Sequence, residues 1–120
     1  DLTAEWDRVS PAGSLVQGCV VVRTEFVKEH PDEIAQFLEA YSASIDYLTS
    51  GEEVVGAVIE NTGIFTKGAV AVKAIPNCNL CFITGQEMQT AMSAYLEIMH
   101  DAAPESIGGK LPGDDFYYIG

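Results

Sequence analysis

The chain reads as an α/β fold, and three observations predict it. The first is the stretch from Leu15 to Arg23, LVQGCVVVR. Its Cys19-Val20-Val21-Val22 core is too apolar and β-branched for a half-exposed strand, so a strand covered on both faces is expected. The second is a similar stretch from Asn77 to Thr84, closed by Gly85. The third is the helical periodicity filling most of the remaining sequence. Two strands with four or five helices cannot close a barrel or build a sandwich. They suit one side of a three-layer α/β lobe.

The elements follow in order. Asp1 to Ser10 holds the only tryptophan, Trp6, in a short amphipathic stretch with Leu2 and Val9, and Trp6 is expected to cap a hydrophobic core rather than reach a ligand crevice. Pro11-Ala12-Gly13-Ser14 has the composition of a turn. After the first strand, Thr24 to His30 reads as a short helical turn that Thr24 can cap, with Glu25 favourably placed near its start. Pro31 suits the first position of the next helix, where a missing N–H costs nothing. That helix runs to about Thr49. Ile34, Phe37, Leu38, Tyr41, Ile45 and Leu48 form one apolar stripe along it, expected to pack in the core.

Ser50 and Glu53 have the spacing of a capping box opening another helix. Val54, Val55, Val58 and Ile59 are its expected buried face, and Asn61-Thr62-Gly63 its end. A short helix capped by Thr66 and running through Ala74, stopped by Pro76, comes next, although Val70-Ala71-Val72 would also allow a strand. Gln86 to about Asp101 is a helix with Met88, Met92, Tyr95, Leu96 and Met99 on one face. Pro104 to Gly109 is a turn, and Lys110 to Gly120 an extended tail with the aromatic cluster Phe116-Tyr117-Tyr118. There is no internal repeat and no low-complexity segment.

Composition narrows the function. The 120 residues make one domain's worth of chain, 48% hydrophobic and 20% charged, which argues against disorder. Eighteen acids against six Lys and Arg leave a net charge of −12. No basic patch is available to neutralise phosphates, so a nucleic-acid partner is not expected, and docking to an anionic membrane surface is disfavoured. No segment approaches the ~18 apolar residues of a membrane span. Asp1 is not an initiator Met and no signal peptide precedes it, so the start reads as excised by processing or by choice of the expressed piece.

Motifs for chemistry are sparse. Cys78-Asn79-Leu80-Cys81 is a C-x-x-C, but redox thiols of that spacing usually sit at a helix N-terminus, whereas this pair falls in an expected strand. A zinc site would need two further ligands, and His30 and His100 are not brought to the pair by spacing. With Cys19 as a third cysteine, structural burial is the simpler reading, and the odd count leaves the redox compartment open. Asp114-Asp115 and Glu52-Glu53 have structural reasons for their positions. No calcium loop, Gly-x-Ser-x-Gly elbow or phosphate loop occurs, so no catalytic residue, metal or cofactor is expected and the chain does not read as an enzyme. A binding role needs less. Gln17 offers an amide and Gly18 allows close backbone approach at a crossover strand, where two-lobed α/β proteins hold ligands, although Gln17 also fits a strand end facing water and Gly18 a site that merely permits helix packing.

Three stretches carry a family resemblance. Gly18-Cys-Val-Val-Val-Arg23, Glu25-Phe26, His30-Pro-Asp-Glu-Ile34 and Phe37-Leu-Glu-Ala-Tyr41 come first. Ala74-Ile-Pro-Asn-Cys-Asn-Leu-Cys-Phe-Ile-Thr-Gly-Gln-Glu-Met88 follows, and Ser106-Ile-Gly-Gly-Lys-Leu-Pro-Gly-Asp-Asp-Phe-Tyr-Tyr118 closes the chain. In this order they resemble the substrate-binding proteins of ABC transporters of the nitrate/taurine/thiamine-precursor type, in which a returning strand precedes a helix pair. The last stretch is similar to the tail of a branch made up mostly of lipoproteins of Gram-positive bacteria.

The resemblance implies a partial periplasmic-binding-protein-like (type II) lobe: residues 1–13 as lead-in, and 14–120 as return strand plus C-terminal helices. It further implies a C-terminal segment of a two-lobed protein, located outside the cytoplasm and tied to the membrane only through an upstream lipid anchor. Such a protein holds a sulfonate, a nitrate-like anion or a thiamine precursor between its lobes and delivers it to permease subunits. Gln17 and Gly18 are the expected ligand contacts. Two alternatives stand beside it. One is a free-standing interaction module, dimeric through an exposed strand edge. The other is a pyrimidine-biosynthesis enzyme on the same scaffold, which would need a reactive His or Cys grouping.

Overall fold

A computed structural model describes residues 2–10, 14–52 and 54–120. Its regular structure is entirely helical: α1 (Leu2–Val9), α2 (Thr24–Glu29), α3 (Pro31–Thr49), α4 (Val54–Asn61), α5 (Gly68–Ala74) and α6 (Gly85–Ala102). Single 3-10 turns cover Ile75–Asn77, Pro104–Ile107 and Asp114–Phe116. The described residues contain no β-strand. The expected α/β lobe of periplasmic-binding-protein type is therefore corrected to an all-helical chain.

The reason lies in pairing. Leu15 to Arg23 and Asn77 to Thr84 have strand-like composition, but a strand exists only through a ladder to a neighbour. Among the described residues, every backbone hydrogen bond outside the helices is local, the widest joining the Gly109 N–H to the Pro104 carbonyl. Without a ladder, Leu15 to Arg23 has no regular structure, and Val20, Val21 and Val22 are exposed, Val21 to 79%. The expected burial on both faces is corrected with it. The described residues also contain no strand edge of the kind expected to join two copies.

The chain divides into two compact units, Val21–Phe82 and a unit made of Asp1–Val20 with Ile83–Gly120. In the first, α2 and α3 meet the expectation closely. Pro31 occupies the start of α3, with Asp32 and Glu33 in its first turn, where carboxylates complement the helix dipole. Thr24 is the first residue of α2 rather than its cap; Arg23 holds the cap position and gives no side-chain hydrogen bond. Along α3 the apolar stripe is only partly covered. Ile34 and Ile45 are buried, Leu38, Tyr41 and Leu48 are half-buried, and Phe37 is 46% exposed.

The tightest packing joins α4 to α5. Gly56 and Gly68 face each other so closely that a Cβ added at Gly68 would collide with the Gly56 backbone. One added at Gly56 would press on the Gly68 carbonyl at 3.2 Å and on the Val72 side chain at 3.2 Å. Absence of side chains at this crossing lets the two helices approach. Beside it Val55 is 1% exposed, the most completely buried large side chain among the described residues.

At the start of α5, the Gly68 N–H donates to Glu60 Oε1 at 2.6 Å, so a side chain from α4 satisfies one of the orphan donors of the first turn. Thr66, the expected cap, lies two residues before the helix. Val70-Ala71-Val72 is helical, which resolves the strand alternative. The expected buried face of α4 is half right: Val55 is buried and Ile59 half-buried, while Val54 and Val58 are exposed. Glu53 of the proposed capping box lies outside the described residues. Ser50 ends α3, and its Oγ accepts from the Glu52 N–H at 3.3 Å.

In the other unit, α6 carries the expected Met88, Met92, Tyr95, Leu96 and Met99, all half-buried. Trp6 of α1 packs on Tyr95 with ring centroids 5.5 Å apart, while Leu2 and Val9 are exposed. The turn at Pro104–Ile107 closes through Gly108 and Gly109, both at φ +82°, a conformation that costs glycine little. The tail is tied to α6 through Gln89 Nε2, which donates to Asp114 Oδ1 at 3.2 Å. Of the turn expected at Pro11–Ser14, residues 11–13 lie outside the described residues.

Candidate functional site

Gln17 and Gly18 sit in the irregular stretch after α1, and both are exposed. A Cβ placed on Gly18 would meet nothing within 4 Å, so no described neighbour requires a glycine there.

The expected strand around the C-x-x-C is replaced by a turn. Cys78 caps the 3-10 turn Ile75–Asn77, and its Sγ–H donates to the Ala74 carbonyl at 3.4 Å. Asn79 follows with φ +50°, a left-handed conformation that asparagine tolerates better than most residues. Cys19, Cys78 and Cys81 are all free and exposed, so the burial expected of them is corrected. The motif follows the end of a helical segment instead of opening one, which is not the placement that activates redox thiols. Among the described residues no group of three or more His, Cys, Asp or Glu side chains is arranged to hold a metal ion. None of the helices is long and apolar enough to cross a membrane.

The histidines are in separate local settings. His30 closes the break between α2 and α3, its ring stacked on Phe26 with centroids 4.5 Å apart. Its Nδ1 lies 3.3 Å from Glu33 Oε1. Glu33 is held below the usual carboxylate range, first by the backbone N–H at the start of α3 and then by His30. His100 has Asp101 at 3.8 Å. Tyr117 is shifted the other way. Partial burial, then the negative charges of Asp114 and Glu97, push its phenol above the usual value. Neither arrangement joins a nucleophile to a base.

One hollow is shaped by packing. The end of α3, the start of α4 and the end of α5 enclose about 100 Å³ between Leu48, Val55, Val72, Ile75 and Pro76. Thr49 is on its wall, but its hydroxyl already donates to the Ile45 carbonyl at 2.8 Å. Glu52 supplies the one charged group among the described lining residues. Such a hollow can accept a single apolar side chain or a fragment of that size, and it has no group placed for bond-making chemistry.

What residue-by-residue reading missed is a second face of α3. Phe37, Ala40, Ser44 and Tyr47 fall at i, i+3, i+7 and i+10 and are all exposed. The helical spacing was visible in the sequence. Two of the four positions carry small residues, which do not register as an apolar stripe.

No family model, no curated protein and no solved structure matches this chain.

Proposed function

We propose that the chain serves solute capture for an ABC importer of the nitrate/taurine/thiamine-precursor type, as the C-terminal portion of its binding component. The observation that carries this reading is the order of the three resembling stretches, from Gly18 to Tyr41, Ala74 to Met88 and Ser106 to Tyr118. The helix pair implied by the first stretch is present as α2 and α3, broken at His30-Pro31. The α/β lobe is not part of the proposal. In this role the protein binds and releases a small molecule and delivers it to permease subunits outside the cytoplasm, without chemistry. Gln17 and Gly18 contribute an exposed amide and an unobstructed backbone to ligand contact.

Calorimetry on the native full-length polypeptide tests it, with a sulfonate, nitrate and a pyrimidine precursor of thiamine as separate titrants. Saturable one-to-one binding of one class with the solute recovered unchanged is expected. Chemical conversion of a solute, or no binding of any class, overturns the reading.

A second reading, an interaction module, is favoured by the exposed apolar side chains. Ile64 is 90% exposed, and Val20, Val21 and Phe116 are each more than half exposed. Apolar surface of this kind marks association sites when it is contiguous. Light scattering separates the readings: a stable oligomer indifferent to every solute supports the module.

A further inference from the structure

We propose that the exposed face of α3 is a docking site for a basic amphipathic helix of another protein. The inference stands apart from solute binding and survives or fails without it.

The face is built like one side of a helix–helix seam. Phe37, Ala40, Ser44 and Tyr47 recur at alternating spacings of three and four, the a/d pattern of packed helices. Phe37 is 46% and Tyr47 37% exposed, and Ala40 and Ser44 between them are exposed as well. Two exposed aromatic side chains thus flank two small ones along this face, a pattern that suits the ridge of a second helix. Phe37 is braced from behind by Tyr41, stacked at 5.6 Å with ring planes 12° apart. Tyr41 in turn meets the edge of Phe82 at 5.8 Å. The anchor is therefore held in place before any partner arrives, which lowers the ordering cost of binding.

Charge selects the occupant. Asp32, Glu39 and Asp46 recur every seven residues along one margin of this face, and all three are exposed. Helix α3 contains no Lys or Arg at all. A second copy docking through the same face would bring one acidic margin against another, with no cation on α3 to relieve it. An anionic membrane surface meets the same repulsion. The chemistry that satisfies both the apolar seam and its margin is a helix with an apolar stripe bordered by Lys or Arg.

The test uses the 120-residue chain and a synthetic helical peptide with Leu at its a and d positions and Lys at the flanking ones. A control peptide carries Glu in place of Lys. Binding is measured by fluorescence anisotropy at low and at physiological ionic strength. Two variants accompany the wild type: Ala40→Arg, which puts a bulky cation between the two aromatics, and a triple Asp32→Asn, Glu39→Gln, Asp46→Asn. Circular dichroism confirms that each retains its helix content.

The Lys peptide is expected to bind the wild type, and Ala40→Arg to weaken that binding at least ~10-fold. The triple variant is expected to weaken it by about 10-fold and to flatten its salt dependence. The Glu peptide is expected not to bind. Equal binding of both peptides, or a folded Ala40→Arg protein that binds as tightly as the wild type, overturns the proposal. So does sedimentation showing a dimer of the wild type that Ala40→Arg dissolves, because the face then belongs to a second copy.

Discussion

Two valine-rich stretches of this chain meet opposite fates. Val54-Val55-Gly56-Ala57-Val58-Ile59 forms most of α4 and buries Val55 to 1% exposure. Cys19-Val20-Val21-Val22 has a comparable β-branched content and forms no regular structure, with all four side chains exposed. Composition does not separate them. The first has a partner surface, because Gly56 meets Gly68 with nothing between the two backbones. The second has none among the described residues. Apolar character creates a demand for burial, and a non-local neighbour decides whether it is met.

The contrast can be broken most severely at the crossing itself. Gly68→Ala places a methyl against the Gly56 backbone, which cannot move aside without parting α4 from α5. It is expected to destabilise the protein by about 3 kcal/mol, read as a lower denaturant midpoint. Val55→Ala leaves the helices in register but empties a filled site, at a cost of about 2 kcal/mol in the same measurement. Glu60→Ala removes the acceptor of the Gly68 N–H and is expected to cost about 1 kcal/mol, water replacing part of the bond. At the bottom of the scale, Val21→Ala makes the same chemical change as Val55→Ala in the exposed stretch. It should shift stability by less than about 0.5 kcal/mol. A Val21 effect as large as that at Val55 would erase the comparison.

The helices were the most legible part of the sequence. Pro31 followed by Asp32 and Glu33 marked the start of α3, and its apolar period carried it to Thr49 as found. The six-residue α2 and the long α6 were readable for the same local reasons. The two expected strands were not, because a ladder is a relation between segments and neither stretch finds its other half among the described residues. The Gly56–Gly68 contact spans twelve positions, and no local period announces it. Position in sequence also placed the candidate site residues only partly. Gln17 and Gly18 were chosen for a crossover strand, and without the strand they are an exposed amide and an unconstrained glycine. The C-x-x-C changed setting in the same way, from a strand to a turn after a 3-10 segment. The seam on α3 was hidden because Ala40 and Ser44 contribute to it by being small.

Hydrogen exchange resolved to single amides tests the all-helical account most directly. Amides within α4 and α5 are expected to be protected by their helical hydrogen bonds, while those of Val20, Val21 and Val22 exchange at close to the rate of an unstructured peptide. Protection at Val20 to Val22 equal to that of α4 would mean that these amides are paired in a sheet, and the account would be contradicted.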